Sequence, residues 1–259
     1  MQKPIIINCK KDKKIFWLSD QHFTYSRDIK SLNKEKIFIK FLNLIKDKSE
    51  VIFILGDFFN FWYEYKNVIP KGFIRILGKL AELSDLGVKF FYFTGNHDQW
   101  VGDYFEKELN FLILKKETEF IIDDKIFLIG HGDGLGPLNF KYKCMKKIFS
   151  NSIIQFLFRW IHPDLGIPIA NFFSKRNKLI SGKKNNFFLG EDKESLIQYS
   201  KLKLKEKHYD YFIFGHRHLP LKIPIKNSIY FNLGDWINYY TYLEYYKKKF
   251  FLKKIKFNY

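Results

Sequence analysis

Five short apolar runs, at residues 15–19, 51–55, 88–94, 126–129 and 209–214, each break off into a cluster of Gly, Asp, Asn or His. Rich in Ile, Phe and Tyr and too brief for helices, they are predicted to be strands buried on both faces. Residues 32–47 and 73–86 carry helical periodicity, so the first half alternates strand with helix, the pattern of an α/β fold. Beyond Gly134 the texture changes. Residues 138–207 read as helical, with apolar stripes through Phe149, Ile153, Phe156, Phe158 and Trp160 and again over 167–173. The tail returns to strand-like pieces at 228–233 and 236–246, then alternates basic and apolar residues. No repeat and no Ser/Gly linker interrupts the chain. The economical description is one α/β domain over residues 1–259 with a helical insertion at about 138–190.

The formal charge of +18 suggests an anionic partner, but its makeup argues against nucleic acid. Forty Lys stand against five Arg, whereas phosphate and base recognition favour the arginine fork. Lys, Phe and Tyr are abundant and Ala occurs only twice, which points to a biased composition rather than a selected basic surface. Two cysteines, Cys9 and Cys144, form no CxxC pair and no disulfide framework, as expected of a reducing compartment. The apolar run at 5–7 is too short for a signal peptide. The run at 153–161 falls short of the ~20 residues that span a bilayer, so a soluble or peripheral protein is expected. The lysines of the C-terminal tail are expected along a strand edge, where they discourage aggregation.

Polar motifs of one chemical kind follow the strand ends, where open α/β sheets place their sites. They are Asp20-Gln21-His22, Gly56-Asp57, Gly95-Asn96-His97-Asp98, Gly130-His131-Gly132-Asp133 and Gly215-His216-Arg217-His218. In an extended segment residues i and i+2 face the same way, which predicts that Asp20 with His22, and His216 with His218, point in pairs into one cavity. Carboxylate, imidazole and amide oxygen together suit Mn²⁺, Fe or Zn²⁺ better than Ca²⁺. Asp57 is placed to bridge two cations held ~3.5–4 Å apart. Taken alone, each motif has a plainer reading as a turn, a helix cap or a paired histidine. Five of the seven histidines fall in these motifs, however. A dinuclear metal site accounts for that clustering, and separate turns do not.

In this order the motifs resemble the calcineurin-like metallophosphoesterase superfamily, whose pattern runs D-x-H, G-D, G-N-H-D, a histidine with glycine, then G-H-x-H. The resemblance covers residues 15–236. It implies a four-layer α/β/β/α sandwich with two central mixed sheets and two divalent metal ions, Mn²⁺ foremost, with Fe or Zn²⁺ as alternatives. One metal would be held by Asp20, His22, Asp57 and His218, the other by Asp57, Asn96, His131 and His216. His97 would protonate the leaving oxygen or stabilise charge on the phosphoryl group, oriented by Asp98; the plainer alternative is a His97–Asp98 pair that only braces its loop.

Residues 56–62, 159–167, 189–194, 215–218 and 234–237 are further similar to the UDP-2,3-diacylglucosamine diphosphatase family, in the branch that carries GNHD. That resemblance implies cleavage of the pyrophosphate of UDP-2,3-diacylglucosamine, with hydroxide at the metals attacking the α-phosphorus, to give UMP and the acyl-sugar phosphate of lipid A synthesis. It implies a cytoplasmic protein resting peripherally on the cytoplasmic face of the inner membrane, with no nucleic acid and no protein partner expected. The candidate substrate contacts are Asn96, His97, Asn139, Lys193 and Arg217. Asn139 stands where many relatives carry an acid. Lys193 and Arg217 either meet the substrate or are ion-pair partners.

In the insertion, apolar residues interleave with Lys141, Lys143, Lys146, Lys147, Lys175 and Lys178, as in an interfacial helical lid over a lipid slot. Otherwise the aromatics pack onto the sheet and the lysines are a solvated face. His162 reads as a helix-junction cap. Two rival functions remain open: a metallophosphoesterase of nucleotides or nucleic acid, and a non-catalytic metal-binding scaffold.

Overall fold

Alternating side chains along each apolar run need cover on both sides, and the computed structural model, which describes residues 3–26, 28–137, 140–182 and 187–256, supplies it. The elements in chain order are strand β1 (Ile5–Ile7), β2 (Lys14–Leu18), helix α1 (Ile29–Ile45), β3 (Ser49–Leu55), α2 (Ile74–Asp85), β4 (Lys89–Phe93), α3 (Tyr104–Leu109), β5 (Leu112–Leu114), β6 (Thr118–Ile122) and β7 (Lys125–Gly130). There follow α4 (Phe140–Phe149), α5 (Ser152–Arg159), α6 (Pro163–Gly182), α7 (Ser195–Glu206), β8 (Tyr211–Phe214), β9 (Pro220–Ile225), β10 (Ser228–Leu233), β11 (Thr241–Tyr246) and β12 (Lys249–Lys254).

Two six-stranded mixed sheets result, in the orders β12-β11-β2-β3-β4-β5 and β1-β6-β7-β8-β10-β9. β2, β3, β4 and β5 run parallel in the first sheet. In the second, β7, β8 and β10 run parallel. Every second residue decides a layer. Ile15, Trp17, Val51 and Phe53 face inward and meet Phe120, Phe127, Ile213 and Phe231 of the other sheet. Trp17 and Phe53 stack at 5.2 Å and Phe53 and Phe91 at 4.9 Å across neighbouring strands. Phe16, Leu18, Ile52 and Ile54 face outward beneath Phe38, Phe41, Ile76 and Leu80 of α1 and α2. On the far side Leu128, Phe212 and Tyr230 pack against Leu196 and Ile197 of α7. The order helix, sheet, sheet, helix is the expected sandwich.

Helices α4 to α6 leave the sandwich after β7 and lie over the loops at 60–65 and 97–100. Phe158 is their anchor, with its ring 4.8 Å from Tyr63 and 5.0 Å from Trp100. The Tyr63 hydroxyl donates to Gln155 O at 2.8 Å and the Trp100 indole to Phe149 O at 2.7 Å. Most other large side chains of this insertion are exposed, Trp160 at 78% and Phe172 at 62%. The aromatics therefore do not pack onto the sheet as the plainer reading supposed. Among the described residues no helix is long and apolar enough to cross a membrane. β12 is an edge strand bearing Lys249, Lys253 and Lys254, the position expected for them. The stretch 236–246 is strand only from Thr241, because residues 236–239 form a turn.

Candidate metal centre

The five motifs lie just beyond the carboxyl ends of β2, β3, β4, β7 and β8, strands that run parallel within their sheets, so the topology delivers them to one edge of the sandwich. Convergence does not arise from strand alternation. Asp20, His22, Asp57, His216 and His218 all have positive φ, between 49° and 64°, and Gln21 is fully buried. The left-handed turns let the loops after β2 and β3 run side by side. Asp20 N donates to Gly56 O at 3.1 Å, His22 N to Asp57 O at 2.8 Å and Phe23 N to Phe58 O at 2.8 Å. Gly56 has φ +80°, and a Cβ there would lie 2.7 Å from both Gly95 N and the His131 ring. Only glycine fits between these loops.

Two groups of donor atoms share Asp57: Asp20, His22, Asp57 and His218, and Asp57, His131 and His216, with the atoms of each group within 4.8 Å of one another. Asp57 Oδ2 lies 3.6 Å from His22 Nε2 and 3.6 Å from His131 Nε2. His218 Nε2 lies 3.2 Å from Asp20 Oδ1 and 3.3 Å from His22 Nε2. Ligands around a cation at about 2.1 Å stand about 3.0–3.4 Å apart, so this spacing fits a metal. Asp20 Oδ1, fully buried, accepts no hydrogen bond although it faces these nitrogens. A buried anionic oxygen left so is costly unless a cation meets it. Asn96 Oδ1 lies 3.4 Å from His131 Nε2, beside the second group.

The reverse faces of three of the rings are held, a feature the sequence reading missed. His22 Nδ1 pairs with Asn60 Oδ1 at 3.1 Å, His131 Nδ1 with Leu55 O at 2.6 Å and His218 Nδ1 with Asp235 Oδ2 at 3.0 Å. Each acceptor fixes the proton on Nδ1 and turns the Nε2 lone pair inward, as partners of metal-binding histidines do. Ser19 and the His216 amide hold Asp20 Oδ2 at 2.6 and 2.9 Å. Asp235 follows β10 in a strand-end cluster like the five motifs, and it lies in the family-like stretch 234–237, which gave it no role.

Burial raises the Asp20 carboxyl, and its histidine neighbours only partly offset this. Burial also opposes charge on Asp57, yet His131, His97 and His22 hold it well below the usual carboxylate range. His131 is pushed the other way: against burial, Asp57 and Asp20 carry it up to about 10. Burial and the adjacent His131 take His216 down to about 3. Protons and cations compete for such a cluster of donors.

The remaining candidates divide. His97 sits beside the first group, its ring 4.9 Å from that of His22, and its amide donates to Asp57 Oδ1 at 2.8 Å. Asp98 does not orient it. The buried Asp98 carboxylate faces away and accepts from Tyr92 Oη at 2.6 Å, Gly95 N at 2.7 Å, Phe58 N at 2.8 Å and Asp57 N at 3.2 Å. Burial and the Asp57 charge push it up to about 6. It braces the loops after β3 and β4, and His97 Nδ1 instead meets Asn60 O at 3.1 Å and Ser174 Oγ at 2.7 Å. Arg217 takes the ion-pair reading: Nε and Nη2 grip the buried Glu194 at 2.8 and 3.0 Å. Lys193 is exposed in a single 3₁₀ turn. Asn139 lies outside the described residues, as do the side chains of Lys141, Cys144, Lys175 and Lys178. His162 is exposed and its carbonyl accepts from Leu165 and Gly166, a helix-start role.

Known proteins agree with the geometry. A family model described as calcineurin-like phosphoesterase matches residues 13–220. A UDP-2,3-diacylglucosamine hydrolase of Porphyromonas gingivalis is 32% identical over 242 residues, 88% of this chain and 92% of the relative. One from Proteus mirabilis is 28% identical over 183 residues, 71% of this chain and 74% of the relative. With all five motifs gathered at one sheet edge and the family model spanning most of its length, the chain belongs to the calcineurin-like phosphoesterase family.

Proposed function

We propose a substrate and a membrane address for this metal-dependent hydrolase: it cleaves the pyrophosphate of UDP-2,3-diacylglucosamine to UMP and 2,3-diacylglucosamine 1-phosphate, as a peripheral protein on the cytoplasmic face of the inner membrane. The observation that carries the reading is the company the donor cluster keeps, since a helical insertion with large uncovered apolar side chains is fastened beside His97. A hydrolase of small water-soluble esters has no use for such a surface, whereas an acyl-chain substrate does. The names of the two relatives support the same substrate.

Asp20, His22, Asp57 and His218 would hold one divalent metal, and Asp57, Asn96, His131 and His216 the other, with Mn²⁺ the proposed ion. When bound, the pair supplies neutralisation of the phosphoryl oxygens and a water acidified toward neutral pH. Asp57 Oδ2 lies 3.6 Å from both His22 Nε2 and His131 Nε2 while its Oδ1 is tied to the His97 amide, so this carboxylate would be held in place to serve both metal sites. His97 then acts on the reacting phosphoryl group through Nε2. The apolar faces around Ile153, Phe156, Leu157 and Trp160 meet the acyl chains and the bilayer. Lys143 and Lys146 turn inward to Gly136 O and Asp133, so among the described lysines of the insertion Lys147 remains for lipid phosphate. Arg217, engaged by Glu194, gives little support to nucleic-acid binding.

The Mn²⁺-loaded protein should release UMP from UDP-2,3-diacylglucosamine and not from UDP-glucose, and Asp57→Ala should abolish it. Turnover of an aryl phosphodiester without UMP release from the acylated substrate would overturn the lipid assignment. Two bound metals with no turnover of any ester would favour the scaffold.

A further inference from the structure

Asn60 is a node between the cluster and the insertion. Its side-chain oxygen holds His22 Nδ1 and its carbonyl faces both His97 Nδ1, at 3.1 Å, and Ser174 Oγ, at 2.5 Å. Ser174 Oγ is itself 2.7 Å from His97 Nδ1. A carbonyl only accepts. The serine hydroxyl therefore gives its proton to Asn60 O and offers a lone pair to the ring, and the remaining hydrogen belongs to His97 Nδ1. The arrangement fixes both the orientation of the ring and the tautomer, leaving Nε2 to face the reacting group. Yet Ser174 belongs to α6, an element of the insertion, while His97 and Asn60 belong to loops of the sandwich.

We propose that Ser174 is a positioning residue for His97, so that the histidine is set for reaction only while α6 is docked. Two further ties of the insertion hold neighbouring residues: Tyr63, three residues from Asn60, and Trp100, three from His97. Docking α4 and α5 thus aligns the two loops that flank the ring, and α6 brings the serine to it. An acylated substrate that draws the insertion down would set its own histidine. An empty, lifted insertion would leave the ring unfastened.

The inference rests on the proposed role of His97, and the test keeps the two apart. In the full-length Mn²⁺ protein, Ser174→Ala should lower kcat for UMP release about tenfold with KM within about twofold, and Ser174→Thr should restore it. In a His97→Ala background, Ser174→Ala should cost nothing further. Nitrogen-15 spectra of the histidine rings, recorded with diamagnetic Zn²⁺ in place of Mn²⁺, provide a readout without turnover: the His97 Nδ1–H pattern should be lost in Ser174→Ala and kept in Ser174→Thr, with melting temperature as the folding control. An equal kcat loss with and without His97 would mean that Ser174 acts on substrate directly and would overturn the proposal, as would His97 ring signals indifferent to Ser174→Ala. Absence of UMP from the wild-type protein would defeat the substrate reading alone, since the ring spectra still decide the positioning.

Discussion

Replacing Asp98 by Ala separates a brace from a catalytic partner. The carboxylate is fully buried and receives Tyr92 Oη, Gly95 N and Phe58 N at 2.8 Å or less, with Asp57 N and Phe59 N at 3.2 and 3.4 Å. Each close donor left without an acceptor in the interior costs about 1–3 kcal/mol. Some of the three will recover a bond through water admitted to the vacated space, so about 4 kcal/mol is a fair net loss. For a chain of this size each kcal/mol lowers the melting temperature by about 2–4 °C, which gives a fall of roughly 8–16 °C. The measurement is thermal unfolding of wild type, Asp98→Ala and His97→Ala, each with metal and after chelation, beside kcat for the three proteins. Asp98→Ala should melt far below His97→Ala even without metal, because the donors lie in the protein itself. A variant that melts within about 3 °C of wild type, yet loses as much kcat as His97→Ala and no more when the two are combined, would refute the brace and return Asp98 to an orienting role.

Chelation should remove activity and lower the melting temperature by about 5–10 °C, the effect of losing a ligand present at about 100 times its dissociation constant; readdition of Mn²⁺ restores both, and an unchanged melting temperature would count against the donor set as a metal site. Burial works to raise the Glu244 carboxyl, but Lys14 and Lys253 at 2.9 and 3.1 Å outweigh it and hold it below the usual range. Its folded form binds fewer protons than the unfolded chain in that window, so its contribution is present above the ordinary Glu value and is lost as pH falls through the lowered one; Glu244→Gln should flatten the acid side of the melting-temperature profile. Phe158→Ala removes the ring that anchors the insertion and should cost about 2–3 kcal/mol locally, read as faster limited proteolysis within residues 152–182 with little change in the melting of the sandwich.

The strand ends and the residues of the donor cluster were legible because both leave chemical marks. A buried parallel strand must be apolar throughout, and a ligand must be Asp, Asn or His. What supports them leaves no such mark. Leu55 holds His131 through a backbone carbonyl that any residue has, and Asn60 is one amide among many until the fold sets it between His22 and His97. Asp98 misled because proximity in sequence suggested pairing with His97. A left-handed or turning loop sends adjacent side chains apart, and five donors from 57–59, 92 and 95 were spread over 39 residues. Short edge strands such as β5 and β9 were missed for a different reason: three residues, or a run holding Pro220 and Pro224, carry too little pattern.

The positive φ angles at Asp20, His22, Asp57, His216 and His218 connect these observations. A left-handed residue costs roughly 1–2 kcal/mol, so five together require the surrounding bonds to dictate them. They do: the amides of Asp20, His22 and Phe23 pair with successive carbonyls after β3, Trp236 N pairs with Asp20 O, and Asp20 Oδ2 captures His216 N. Backbone bonds thus join the loops after β2 and β3, and the second oxygens of Asp20 and Asp57 add ties to the His216 and His97 amides. Asp and His suit these positions twice over, as donors of the candidate metal centre and because such side chains tolerate this conformation better than β-branched ones. It follows that the frame around the donors is set largely by folding, and that His22→Ala or His218→Ala, whose rings pair with the side chains of Asn60 and Asp235, should lower cation affinity while leaving the neighbouring loops in place. Asp98, which joins the Asp57 loop to its own through the amides of Asp57, Phe58 and Gly95 and is also held by Tyr92 Oη, is where that separation between frame and ligands is most exposed to experiment.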